Sequence, residues 1–230
     1  MPDRPPAPDK DAADPAISRR PPDPQHHNPR RGLLLALALV LSVALLSVLC
    51  QVLWQRDPAV VLENNLLENA QAVFLGVAAI LNLWRGHSAR SDFDKYARMA
   101  MALFAISMLL REVDIARADG SRYLDGIELG LRILVGVGWV VFAVKFFPRR
   151  AMIQGRSGAV LRSPFFLLVG LGCMFYAASY PFDKFEPVIF GLNSVLVEEA
   201  LQLNASFMFL LTGFVRPLGG STLPADDARV

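Results

Sequence analysis

The chain has 230 residues, is 53% hydrophobic and has a mean hydropathy of +0.38, which is too apolar for an ordinary water-soluble domain of this size. Its net charge of +2 does not favour nucleic acid as a partner, and no basic–aromatic surface pattern points that way either. The two cysteines, Cys50 and Cys173, lie in apolar runs without Cys or His at metal spacing, and the histidines are only His26, His27 and His87, so neither a zinc site nor a bis-histidine haem is expected and no cofactor is predicted.

Residues 1–32 are rich in Pro, Asp and Arg and poor in large apolar side chains, so they predict a disordered tail. A Leu/Ala/Val run over 33–54 is long enough to span a bilayer. Arg30 and Arg31 before it faintly resemble a twin-arginine signal, but the Leu-rich run and the spans that follow predict an uncleaved anchor. Residues 46–50 are not a lipoprotein box, because Leu49 occupies the place of a small residue.

Five more apolar segments of helical length follow, at about 62–84, 97–116, 127–147, 164–181 and 197–215, with a short tail over 217–230. None shows the alternation of a barrel strand, so the predicted fold class is all-α: a polytopic six-helix transmembrane bundle. Ser91, Asp92, Phe93 and Asp94 read as a capping box that opens the third helix. Gly126 and Gly130 form a GxxxG at the start of the fourth, suited equally to packing within the bundle or between copies. The stretch 182–196, FDKFEPVIFGLNSVL, predicts an interfacial loop or lid.

With six spans, seventeen Lys and Arg fall on one side and six on the other, and every connection agrees in sign. The positive-inside bias then predicts both termini in the cytoplasm of a cell whose inner or plasma membrane holds the protein. The expected partners are the lipid bilayer and a second copy or another membrane protein, not nucleic acid.

The spans are interrupted by polar residues in a pattern. Only twelve residues separate Arg98 from Arg111 in the stretch that ends SMLLREVD. They cover about 18 Å as helix, against a hydrocarbon core of about 30 Å. Arg111, Glu112 and Asp114 are therefore drawn into the membrane or its edge, where charge is costly and usually marks a site. In the second span Asn64, Glu68, Gln71, Leu75 and Asn82 share one helical face, with Asn69 beside them. In the sixth, Glu199, Gln202 and Ser206 share a face flanked by Glu198 and Asn204, and in the fourth Glu128 and Arg132 form an i, i+4 pair. The alternating topology brings all four polar ends to the outer side. An unpaired charge there costs about 2.5–3.5 kcal/mol or more. A cross-helix pair of Arg111 with Glu68 or Glu199 is accordingly expected.

Glu198–Glu199 resembles the paired glutamates of intramembrane CAAX-type proteases, but the histidine-bearing helices of that family are absent. Asp114, Arg117, Asp119 and Gly120 resemble part of a CDP-alcohol transferase motif, whose order and downstream aspartates do not match. There is no HExxH, P-loop or GxSxG. The expected function is binding or translocation of a cation, proton or small polar solute by the outer cluster. Two alternatives stand beside it. One is an intramembrane enzyme in which Arg111 and Arg132 hold the phosphate of a lipid-linked substrate, with Glu68, Glu112 or Glu199 as acid and base. The other is a scaffold or sensor subunit whose polar residues only fix helix packing.

Overall fold

The computed structural model describes residues 29–61, 66–112, 122–150, 157–185 and 193–217. Among them the chain is all-α, in helices α1 (Pro29–Arg56), α2 (Leu66–His87), α3 (Asp92–Glu112), α4 (Arg122–Phe146), α5 (Ser157–Leu161), α6 (Pro164–Phe185) and α7 (Ser194–Thr212). Helices α1, α2, α4, α6 and α7 are long and apolar enough to cross a membrane. The sixth long helix, α3, has 21 residues and so extends about 30 Å. Its ends carry Asp92, Asp94, Lys95, Arg98, Arg111 and Glu112, which is why it is less apolar than the others. Chain contacts separate Met1–Val40 from Leu41–Val230. The first unit contributes only the opening turns of α1 to the described residues, and the second holds everything that follows here.

Several element boundaries differ from those the sequence predicts. α1 begins at Pro29, inside the stretch predicted as tail, because proline at a first helical position forfeits only an N–H that has no helical partner and fixes φ favourably. α6 continues through Pro181 to Phe185, and α7 starts at Ser194, so both ends of the predicted lid over 182–196 are helical; residues 186–192 lie outside the described ones. α5 is an additional short helix in the connection between the fourth and fifth predicted spans. Two starts follow capping rules. Ser91 Oγ accepts the Asp94 N–H at 3.3 Å, and Asn193 Oδ1 accepts from Val195 and Leu196 at 2.9 and 3.3 Å.

The surface is inverted relative to a soluble protein. Leu45, Val140 and Val144 are 71%, 63% and 68% exposed, whereas Gln71, Asn82 and Ser206 are fully buried. In lipid, exposed leucine costs nothing and polar groups gain by pairing inside the protein. The chain is an integral membrane protein.

Helix α2 packs against α3 on one side and α7 on the other; α6 packs on α7, and α4 chiefly on α3. The core is built from Leu75, Ala78, Met101, Ala105, Phe165 and Phe209, the small alanines letting the helices close up. A second cluster gathers Leu67, Leu196 and Leu203 around the buried Cys50 of α1. Among the described residues, Gly126 and Gly130 have no neighbour within 4 Å of an added Cβ, so there the GxxxG does not pack against another helix. Helices α2 and α7 run parallel, since Gln71 meets Glu199 near their starts and Asn82 meets Thr212 near their ends. Their starts define a carboxylate end of the bundle and their ends an arginine end.

Candidate functional site

At the carboxylate end, α2, α3, α6 and α7 each contribute polar side chains. Gln71, on the α2 face turned to α7, donates Nε2 to Glu199 Oε2 at 2.6 Å, while its buried Oε1 has no hydrogen-bond partner among the described residues. One position earlier on α7, Glu198 Oε1 accepts from Gln202 Nε2 at 2.9 Å, one turn along the same helix. Across on α3, Glu112 Oε1 accepts from the Tyr176 hydroxyl of α6 at 3.0 Å. The Arg111 guanidinium lies over the Tyr176 ring, 5.6 Å from its centroid. Tyr176 thus holds an acid by its hydroxyl and a base by its ring face, and Ser206 of α7 also reaches that hydroxyl.

The acids share one field. Glu199 is in electrostatic range of Glu198, Glu112 and Glu68, and Glu112 is in range of Glu68 and Arg111. Glu198 feels Asp183, Arg111 and Glu112. Asp183 itself is paired with Lys184 at 2.8 Å. Among the described side chains, Glu112 and Glu198 are in range of the Arg111 guanidinium, and Glu199 and Glu68 are in range of those acids.

The structure has Glu68, Gln71, Arg111, Glu112, Glu198, Glu199 and Gln202 near one end of the bundle. The pairing of Glu199 is not the expected one. Glu199 is met by Gln71 rather than by Arg111, because α2 packs directly on α7, whereas Arg111 reaches from α3 onto the Tyr176 ring of α6. Arg132 makes its salt bridge to Glu128 on its own helix, and it shares with Arg111, Ser107 and Trp139 a recess between α3 and α4. Asn204 sits deeper. It donates to Ser47 Oγ at 3.2 Å and to the Ala200 carbonyl at 2.8 Å, tying α7 to α1, and its Oδ1 has no partner among the described residues. Asn64 and Asp114 lie outside the described residues. Among the described residues, no three of His, Cys, Asp and Glu converge as a metal-binding group.

Two features escape the sequence reading. One is Tyr176; its signal is that a tyrosine buried in an apolar span needs a partner for its hydroxyl. The other is a second polar cluster at the arginine end. There Arg98, 4% exposed, donates Nη2 to the Val215 carbonyl at 2.6 Å and Nη1 to Asn82 Oδ1 at 3.4 Å. Asn82 Nδ2 in turn donates to Thr212 Oγ1 at 3.0 Å.

Removing only the hydroxyl tests the first of these. Tyr176→Phe keeps the ring under Arg111 but strips Glu112 of its donor, and about 1–2 kcal/mol of stability is expected to be lost. Thermal unfolding in detergent measures it; an unchanged midpoint means that Glu112 finds an equal partner elsewhere. No family model, curated protein or solved structure matches this chain.

Proposed function

We propose that the carboxylate end binds a cation, a proton or a small cationic solute, from the non-cytoplasmic side of the inner or plasma membrane, with both termini of the chain cytoplasmic. The observation that supports this reading is the crowding of partly buried carboxylates: Glu199 lies within range of both Glu198 and Glu112, which are themselves within range of Arg111. Like charges held together at low dielectric repel strongly, and a bound cation or proton relieves that repulsion. The buried Gln71 Oε1, without a hydrogen-bond partner among the described residues, adds a neutral oxygen beside Glu199. A chelated metal is disfavoured because the acids, although mutually in range, do not converge in threes among the described residues. A proton or a diffuse organic cation fits that spacing better, and an intramembrane acid accessible from one side is the form a permeation or coupling site takes.

The test is thermal unfolding of the protein in lipid nanodiscs across pH 5–9 and with sodium, calcium and tetramethylammonium. Wild type is expected to be stabilised by lowering pH or by one of the cations, and Glu199→Gln and Glu68→Gln should abolish that response while remaining folded. A second reading, in which these residues only join helices, is favoured by the Gln71–Glu199, Tyr176–Glu112 and Asn204–Ser47 hydrogen bonds. It predicts that wild type ignores pH and cations and that the same variants unfold.

A further inference from the structure

Away from the carboxylates, a cavity of about 350 Å³ lies between α3, α4 and α6. Its walls include Phe93, Tyr96, Phe104, Trp139, Phe142 and Phe166, with Ala97 and Ala100 leaving the space at its floor. It exists because α4 is braced chiefly by α3, and large rings on α3, α4 and α6 meet edge to face rather than interdigitating with a further helix. Water has too few partners in such a space to occupy it. At about 30 Å³ per water- or methylene-sized group, it takes roughly a dozen of them.

The mouth is chemically different. Arg149 Nη1 donates to the Tyr96 hydroxyl at 2.8 Å, and its guanidinium lies 5.6 Å from the centre of the same ring. Arg150 lies over Phe147 at 4.3 Å, and Lys145, Arg149 and Arg150 are all exposed. The positive-inside bias accounts for basic residues at this end of the bundle. It does not account for an arginine seated on a ring that also lines the cavity. An apolar chamber whose rim presents cations is complementary to an amphiphile with one long chain and a negative head.

We propose that this cleft holds an acyl chain of an anionic glycerophospholipid, with the phosphate at Arg149 and Arg150. Trp139 stands on the cavity wall, so it reports on what fills the chamber. The experiment uses the full chain with Trp54→Phe and Trp84→Phe, which leaves Trp139 as the single tryptophan. The protein is reconstituted into phosphatidylcholine vesicles, and the host is replaced stepwise by phosphatidylglycerol or phosphatidylcholine with brominated chains. Brominated phosphatidylglycerol is expected to quench in a saturable step at several-fold lower mole fraction than brominated phosphatidylcholine. Arg149→Gln with Arg150→Gln should bring the two curves together, and 0.5 M salt should do the same in the unaltered rim, where folding is not in question. Ala100→Phe should remove the saturable step for both lipids. Equal quenching by the two lipids in the unaltered rim overturns the proposal. So does a preference that survives the double variant, or one lost only in Arg132→Gln, which would put the headgroup at the opposite end of α4.

Discussion

Arg98→Leu is expected to destabilise the bundle by about 2–4 kcal/mol. The arginine joins three helices: it starts on α3, reaches Asn82 on α2 and closes on the Val215 carbonyl just beyond α7. Its removal leaves the part-buried Val215 carbonyl and the buried Asn82 amide oxygen without this donor, at up to about 1–3 kcal/mol each. It also takes a cation from the carbonyl end of α7, where the helix dipole contributes up to about 2 kcal/mol in a partly buried setting. Two effects work the other way. Repulsion from Arg85 and Arg216, both in range, is relieved. The unfolded chain in lipid also finds partners for its polar groups, which lowers the worth of a single interhelical hydrogen bond to about 0.6 kcal/mol on average. The deletion penalty outweighs both because Arg98 is buried in protein rather than facing lipid. Arg98→Lys keeps the charge but lacks the fork that serves two acceptors at once, and about half the loss is expected. Thermal or denaturant unfolding in one detergent, run on all three proteins, gives the order wild type, Lys, Leu. If Leu unfolds with wild type, the cluster at the arginine end contributes nothing to holding α2, α3 and α7 together.

What the sequence discloses about this molecule depends on whether a feature belongs to one helix or to several. The polar stripe of Glu68, Gln71 and Asn82 is a property of α2 alone, and helical spacing puts those residues on one face wherever the helix packs. The same holds for Glu199 and Gln202 on α7. Alternating topology would put Glu68, Arg111, Glu112 and Glu199 at a similar depth, so their nearness is an expectation legible in the sequence. The choice among partners is not. Gln71 takes Glu199 because α2 touches α7 directly, and nothing in either helix states that adjacency. Arg98 reads as a charge at a membrane boundary, which is the ordinary place for arginine; its partners come from three other parts of the bundle, Asn82 of α2, Phe165 of α6 and the Val215 carbonyl beyond α7. Tyr176 and the cavity-lining rings read as ordinary apolar core. A cavity is the failure of three helices to fill a space, and no single helix encodes it. Gly126 and Gly130 show the converse: a packing motif is plain in the sequence, yet both glycines face away from the described bundle.

Gly172→Val is expected to cost about 3 kcal/mol or more, and the reason lies on the facing helix. An added Cβ at Gly172 of α6 meets the Phe209 ring of α7, with Cζ at 2.8 Å and Cδ1 at 2.9 Å. That ring is fully buried and has nowhere to go. Phe104 meets it edge-on at 5.1 Å between centroids, and Tyr176 stacks on it at 6.1 Å. Gly172→Ala gains about 1 kcal/mol of helix propensity, but overpacking a filled core costs about 1–3 kcal/mol, so it too should lose stability. Gly170, two residues away, has no neighbour within 4 Å, and Gly170→Ala should keep the propensity gain without the clash. The opposite signs at two glycines of one helix separate packing from propensity. Phe209→Leu in the Gly172→Ala background should recover part of the loss, because the smaller side chain vacates the space the new methyl needs. The consequence reaches the carboxylate end through Tyr176, whose ring stacks on Phe209 while its hydroxyl holds Glu112. A valine at Gly172 is therefore expected to weaken any cation response of the carboxylate cluster even under conditions where the bundle stays folded. If that variant were as stable as wild type, α6 and α7 could not be held at the separation where the Phe209 ring occupies the room left by the missing side chain.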